Sequence, residues 1–116
     1  MKNVINISLI LILIGCKSNK LPLKNYESET LTIEKISDNI YQHISYLETD
    51  SYGKVSCNGM VYLNGNDDLV FDTPTNNKAS SELINWIGKR KIKGIVVTHF
   101  HVDCLGGLKE FHLNGI

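Results

Sequence analysis

A short segment near the end of the sequence concentrates the side chains best suited to chemistry. His99, His101 and Asp103 recur at every second position and are followed by Cys104 and then by Gly106-Gly107. Two imidazoles and a carboxylate are ligands that suit Zn²⁺. A lone pair of histidines is usually an ordinary surface or core feature, but three ligand residues at one spacing favour a metal site.

The residues around this segment indicate how it is positioned. The apolar run Ile95–Thr98 predicts a β-strand, and open α/β sheets bind ligands at the carboxyl ends of their strands. Alternate side chains of an extended segment point the same way, so we expect the three ligand side chains to share one face, with Phe100 and Val102 on the packed side. The glycine pair would let the backbone pass close to the site before a helix begins at Leu108.

The pattern His-x-His-x-Asp followed by Gly-Gly resembles that of the metallo-β-lactamase superfamily. Many hydrolases of that superfamily, such as glyoxalase II-like thioesterases and ribonuclease Z-like nucleases, carry a histidine directly after the aspartate. Cys104 stands at that position here, which makes the chain similar to the first subclass of true metallo-β-lactamases. Arginine is the usual occupant in that subclass, so Cys104 departs from its commonest pattern.

The resemblance implies an α/β fold, the αββα sandwich, with a mixed β-sheet and helices on one face. It also implies zinc-dependent hydrolysis of the β-lactam amide bond of antibiotics, with two zinc ions in a complete enzyme. His99 and His101 would hold the first zinc, while Asp103 would hold the second and orient the attacking water. The chain has 116 residues, one domain at most, whereas the resemblance implies a sandwich of roughly 200 or more residues. We therefore expect the N-terminal half of such an enzyme, inactive alone.

Two other kinds of function are open at this point. One is a different hydrolase of the superfamily, such as a lactonase or a thioesterase, although Cys104 counts against it. The other is a lipoprotein that binds metal without catalysis. The formal net charge of zero predicts no nucleic-acid partner, and we expect a monomer.

The start of the sequence predicts export and a membrane anchor. Lys2 and the apolar run Ile7–Ile14 are typical of a signal peptide, and Leu13–Cys16 resembles a bacterial lipobox, which implies cleavage before Cys16 and lipidation of its thiol. An ordinary secretory signal or a buried strand are the alternatives. Residues 1–16 would then be the signal and lipobox, 17–30 a flexible tether and 31–116 a partial metallo-β-lactamase domain. We therefore expect a periplasmic, membrane-anchored lipoprotein.

Between the tether and the metal motif, the pattern predicts strands and one helix. Alternation predicts strands over 31–36 and 40–47, further strands over 60–63 and 69–72, and a helix from Asn76 or Asn77 to about Gly88. His43 would be a surface or packing histidine. Residues 48–57 lack periodicity and predict a mobile loop. The resemblance implies a flap over the substrate there, and a plain surface loop is the alternative. The candidate flap contacts are Tyr46, Leu47, Tyr52 and Val55.

Three more residues are candidates for a supporting role. Asp72 ends an apolar strand, and it could cap the next turn through Thr73 and Asn76 or, as the resemblance implies, lie beneath the second metal and orient its ligands. Cys57 and Cys104 match family positions close to this aspartate, so we predict that the two thiols approach one another there. Cα atoms within about 7 Å would allow a disulfide in an exported protein. The alternative is two free buried thiols.

Overall fold

The computed structural model describes residues 23–65 and 67–116. They form a mixed six-stranded sheet in the order β1-β2-β3-β4-β5-β6. The strands are β1 Tyr26–Glu27, β2 Leu31–Lys35, β3 Ile40–Thr49, β4 Gly53–Tyr62, β5 Asp67–Phe71 and β6 Lys91–Val96. The helices are α1 Asn77–Ile87, α2 Val102–Leu105 and α3 Leu108–Leu113. In these ranges no helix is both long and apolar enough to cross a bilayer. The predicted signal peptide and Cys16 lie outside the described residues.

Strands β1 to β5 form an antiparallel meander whose longest hairpin is β3–β4. Its pairing runs without a break from Ile40 opposite Tyr62 to Thr49 opposite Gly53. The prediction of an irregular mobile loop over residues 48–57 is therefore wrong, because most of these residues continue the hairpin. Side chains on both faces of its far end are largely exposed, so the apolar-polar alternation that marks a half-buried strand is missing there.

The sheet begins earlier than the sequence predicted. Tyr26–Glu27 forms β1 and pairs with β2, so the flexible tether predicted over residues 17–30 is wrong for its last part. Polar side chains next to this strand are not free in solvent. Ser28 Oγ and Thr30 Oγ1 donate hydrogen bonds to the carboxylate of Glu82 on α1, at 2.5 and 2.7 Å. The polar residues near β1 therefore form hydrogen bonds to helix α1 and are not part of a flexible tether.

Helix α1 is the crossover between the parallel strands β5 and β6. It begins after Asn76, whose Oδ1 accepts a hydrogen bond from the Ala79 N–H at 2.9 Å, the usual N-cap arrangement. It ends at Gly88, which has a φ of 70° that glycine adopts at little steric cost. These bounds confirm the predicted helix.

The core lies between one face of the sheet and helices α1 and α3. The helices cover the face from which Tyr41 and Val61 project, and burial of each such side chain contributes roughly 1.5–3 kcal/mol. The mixed sheet with helices on one face agrees with the predicted fold class. The buried apolar residues that form this core are Leu31, Ile33, Tyr41, Val61, Val70, Ala79, Leu83, Ile87 and Phe111.

A buried ion pair joins the start of β5 to the residue before β6. The Arg90 guanidinium donates to both carboxylate oxygens of Asp68, from Nε at 2.5 Å and from Nη2 at 2.7 Å. The Asn64 N–H donates to the same carboxylate at 3.0 Å, and Arg90 also donates to the Gly65 carbonyl. Because Asp68 is fully buried, these donors are what compensates the desolvation of its charge.

Candidate metal centre

The three predicted metal ligands follow β6, which ends at Val96, two residues earlier than predicted. The chain then bends through His99 and His101 and enters α2, so Asp103 lies in a helical turn rather than in extended chain. Even so, the ligand atoms of the three residues all lie within 4.8 Å of one another. The structure therefore brings the predicted ligands together by a bend and a helical turn, not by strand alternation.

The bend also changes the exposure of the two side chains that lie between the ligands. Phe100 is 81% exposed and Val102 is 56% exposed. The prediction that these two residues face the packed side is therefore wrong. It assumed an extended segment, in which alternate residues are buried, and the chain is not extended there.

The cluster has the donors and the access that a divalent metal ion needs. His99 Nε2 lies 3.2 Å from Asp103 Oδ1, and the His99 and His101 rings meet nearly at right angles with centroids 5.1 Å apart. Both histidines are exposed, so an ion can reach them from solvent. Two imidazole nitrogens and a carboxylate at these separations fit Zn²⁺.

Asp72 fixes the start of the ligand segment. Its Oδ1 accepts a hydrogen bond from the Thr98 N–H at 2.7 Å, and its Oδ2 accepts one from the Thr98 hydroxyl at 2.8 Å. Burial raises the pKa of Asp72, but these hydrogen bonds outweigh it and hold the pKa below the ordinary value. The carboxylate does not cap the following turn through Thr73 or Asn76, so that interpretation is wrong. It reaches instead to the end of the neighbouring strand.

Asp72 is also the one residue other than glycine with a positive φ, 58°, in the described part of the chain. Left-handed backbone is costly for most side chains, and aspartate and asparagine tolerate it better than others. Such backbone tends to occur where a site needs a particular geometry. Here it turns the chain at the end of β5 so that the carboxylate faces Thr98.

Thr73 holds the other end of the ligand segment. Its N–H and its hydroxyl both donate to the Cys104 carbonyl, each at 2.9 Å, and its hydroxyl accepts from the Gly107 N–H at 3.2 Å. A side chain at position 107 would collide with the Ser80 hydroxyl and would lie 2.8 Å from the Pro74 carbonyl. The backbone at Gly107 therefore packs closely against the residues that follow β5, and its close approach to the metal site stays a prediction.

His43 lies beneath this arrangement and is buried. Its Nε2 is 3.0 Å from the Asp72 carbonyl oxygen, and its Nδ1 has no partner among the described residues. Burial lowers the pKa of His43 to about 4, so the ring is neutral near pH 7. A β-carbon on Gly59, the residue opposite on β4, would strike the ring. His43 is thus the packing histidine that one of the two interpretations predicted.

Cys57 and Cys104 are both free thiols, so the disulfide considered above is not formed in this structure. Cys104 is buried beside the site, with its Sγ 3.1 Å from His99 Nδ1. Burial and its hydrogen bond to Asp72 raise the pKa of Cys104 to about 11. Cys57 lies opposite Ser45, and burial raises its pKa too. The approach of the two thiols to one another stays a prediction.

The four candidate flap residues lie on the far half of the β3–β4 hairpin. Leu47 is directly opposite Val55, and the Lys54 ammonium lies 4.2 Å from the centre of the Tyr46 ring. Tyr52 is at the tip and is 85% exposed. The hairpin carries these side chains on a paired ribbon, and their contact with a substrate stays a prediction.

Thr98 and Thr73 support the site in ways that were not predicted from the sequence. Both are hydroxyl residues at strand ends, where a side chain can satisfy backbone groups that a sheet leaves unpaired. Thr98 stands directly before His99, and Thr73 directly after Asp72. Their position beside the candidate residues was the available signal.

Comparison with known proteins places this geometry in a family. The family model described as the metallo-beta-lactamase superfamily matches residues 52–115. The chain is 32% identical over 92 residues to a metallo-beta-lactamase type 2 of Bacteroides fragilis, a match that covers 77% of this chain and 37% of that protein. It is 36% identical over 88 residues to one of Pseudomonas aeruginosa, covering 74% and 36%. The crystal structure of VMB-1 matches with a TM-score of 0.73 at 37% identity, covering 78% of this chain and 42% of that one.

A mixed sheet whose parallel strand pair leads into clustered histidine and aspartate side chains defines an α/β protein with a candidate metal centre. The chain belongs to the metallo-β-lactamase superfamily. It spans little more than a third of the length of the two curated relatives. Over that part, the predicted family and fold class are confirmed.

Proposed function

We propose that this chain supplies part of the metal centre of a zinc-dependent enzyme that hydrolyses the β-lactam amide bond. The observation that carries the proposal is the convergence of the ligand atoms of His99, His101 and Asp103 to within 4.8 Å. Membership of the superfamily supports it, as do relatives that are named metallo-beta-lactamases. The substrate in this proposal is a β-lactam antibiotic.

The three residues have different roles in the proposal. His99 and His101 would hold a first zinc ion through imidazole nitrogens, and Asp103 would hold a second. Zinc at this site would supply a Lewis acid for the amide carbonyl and a water molecule of lowered pKa. The carboxylate of Asp103 only accepts hydrogen bonds when ionised, so it can orient that water toward the carbonyl. The complete enzyme would bind two zinc ions.

The segment after β5 prepares this site before metal binds. Asp72 holds Thr98 at the start of the ligand segment, and Thr73 holds Cys104 and Gly107 near its end. Residues that orient ligands in this way commonly change metal affinity by 10–100-fold when they are replaced. We assign Asp72 this orienting role beneath the second metal.

Nitrocefin hydrolysis by the protein that contains this chain tests the proposal. We expect hydrolysis that a chelator abolishes and that added Zn²⁺ restores. His101→Ala should abolish it. His112→Ala should leave it unchanged, because His112 is an exposed histidine on α3 that belongs to neither group of candidate ligands. Chelator-resistant hydrolysis, or full activity in His101→Ala, would contradict the proposal.

The same assay separates the two other functions. A lactonase or thioesterase would hydrolyse a lactone or thioester and leave nitrocefin intact. A metal-binding protein without catalytic activity would bind Zn²⁺ in calorimetry and hydrolyse none of these substrates. Cys104 in place of a histidine favours the β-lactam substrate over the first of these.

We also propose that the protein is a periplasmic lipoprotein anchored through Cys16. The lipobox-like residues Leu13–Cys16 support this. Mass spectrometry of membrane fractions should find a diacylglyceryl group on a chain that starts at Cys16, and a soluble product cleaved elsewhere would refute it. Cys16→Ser should move the protein out of the membrane fraction, and Cys57→Ser should not. In solution we expect a monomer, which sedimentation can check.

A further inference from the structure

A second group of metal-ligand side chains shares His99 with the cluster described above. Its members are Asp72, His99 and Cys104, and their ligand atoms all lie within 4.8 Å of one another. Cys104 Sγ lies 3.1 Å from His99 Nδ1, whereas Nε2 of the same ring lies 3.2 Å from Asp103 Oδ1. The same sulfur lies 3.6 Å from His99 Nε2, so it is beside both nitrogens of the ring that the two groups share.

The separations suit a single ion between the three side chains. With Zn–S and Zn–N bonds of about 2.3 and 2.0 Å, a sulfur and a nitrogen on one ion can lie up to about 4.3 Å apart. The observed distances of 3.1 Å from Cys104 Sγ to His99 Nδ1 and 3.6 Å to Nε2 both fall within that limit. Each oxygen of Asp72 uses one lone pair for Thr98 and has another for a cation.

The surroundings favour a particular kind of ion. Cys104 and Asp72 are 2% and 7% exposed, while His99 is exposed, so an ion would enter past the imidazole and reach the two shielded groups. A thiolate and a carboxylate together carry two negative charges, which suits a divalent cation. Sulfur selects thiophilic ions such as Zn²⁺, Cd²⁺ or Co²⁺ over Mg²⁺ and Ca²⁺.

We propose that Asp72, His99 and Cys104 form a site for a thiophilic divalent cation, distinct from the group that contains His101 and Asp103. Binding releases the thiol proton of Cys104 to solvent and forms a metal–sulfur bond. No electron is transferred, and Asp72 and His99 supply the other two protein donors. The site rests on the side-chain geometry alone and does not depend on β-lactam hydrolysis.

The two groups compete for His99. A neutral imidazole has one nitrogen with a free lone pair, because the other carries the proton. An ion bound beside Cys104 through either ring nitrogen therefore takes that lone pair and leaves none for an ion beside Asp103. A thiophilic ion in the cysteine site thus removes one ligand from the histidine–aspartate site.

Cobalt titration of the full chain tests the site, because a Co²⁺–thiolate bond gives a near-ultraviolet charge-transfer band that nitrogen and oxygen ligands do not give. The chain has three cysteines, so Cys16→Ser/Cys57→Ser leaves Cys104 as its single thiol. We expect this double variant to show the band at saturating Co²⁺. Adding Cys104→Ser should abolish the band, and adding His101→Ala should leave its intensity unchanged.

Three results would overturn the proposal. A band that disappears in the double variant assigns the sulfur ligand to another cysteine. A band that disappears with His101→Ala places the ion in the other group. Saturation with Co²⁺ without any band leaves Cys104 as a hydrogen-bonded thiol. Far-ultraviolet circular dichroism checks the fold of each variant, and if Cys104→Ser unfolds, the double variant and its His101→Ala derivative still decide the outcome.

Discussion

The ion pair between Asp68 and Arg90 ties together the two parallel strands that lead to the metal-ligand residues, so Asp68→Ala should weaken the fold. The Asp68 side chain is fully buried and that of Arg90 is 17% exposed. Without the carboxylate, the guanidinium keeps the Gly65 carbonyl as its hydrogen-bond partner in the described part of the chain. The Asn64 N–H loses the acceptor that it has now.

The expected loss follows from this burial. Removing one partner of a buried ion pair costs about 3–5 kcal/mol, because the other charge remains uncompensated. Since water reaches part of Arg90, we expect a value near the lower end, about 3 kcal/mol. The Lys35–Asp38 pair offers a matched control, as its side chains are 41% and 102% exposed. Asp38→Ala should leave the free energy of unfolding unchanged.

Urea unfolding followed by far-ultraviolet circular dichroism measures both variants, with Trp86 fluorescence as a second probe. A double variant, Asp68→Ala with Arg90→Met, removes both charges. It should recover part of the lost stability, because no unpaired charge then remains buried. Equal effects of Asp68→Ala and Asp38→Ala would refute the reasoning, as would a double variant less stable than Asp68→Ala.

Three further predictions concern the site. The pKa of His43 is about 4 in the folded protein against an ordinary 6.5, so the unfolded chain binds the proton first as the pH falls. Stability should therefore fall by about 3 kcal/mol from above pH 6.5 to pH 4, and urea unfolding should show a smaller fall in His43→Gln. Gly107→Ala should lower the free energy of unfolding by about 1–3 kcal/mol, because the new methyl group clashes with Ser80. Gly94→Ala should lower it less, because the space around Gly94 is open. Thr98→Val should weaken Zn²⁺ binding about 10–100-fold in calorimetry, and Thr98→Ser should largely retain it.

The parts of the fold that could be predicted from sequence are those with one buried face. Helix α1 has a capping asparagine, a terminal glycine and an apolar stripe that includes Leu83 and Ile87. The apolar periodicity and the end signals therefore predict the same helix. The far end of the β3–β4 hairpin has no buried face, and its pairing left no periodicity to detect. Its strands are held by backbone hydrogen bonds to each other, and these bonds leave no pattern of alternating apolar and polar residues in the sequence.

The candidate site likewise has features that could be predicted from the sequence and features that could not. The ligand types and their place after a strand could be predicted, because metal chemistry restricts which side chains serve. The hydrogen bonds from Thr98 to Asp72 could not, since they join residues that follow two different strands, β6 and β5, whose relative placement depends on the α1 crossover. The bend at Phe100 was missed because the spacing of the ligands is equally compatible with an extended chain.

The parallel pairing of β5 with β6 has a consequence for the order in which the protein folds. The hairpins of the meander join neighbouring segments, whereas β6 can pair only after α1 has returned the chain to the sheet, and contacts between distant segments form more slowly. The segment from Thr98 to Gly107 should then acquire its shape last. Pulse-labelled hydrogen exchange should find the β3–β4 amides protected before that of Thr98, and simultaneous protection would contradict this order. A metal ion that depends on His99 and Asp103 would therefore stabilise the finished protein and slow its unfolding, while leaving the rate of refolding almost unchanged.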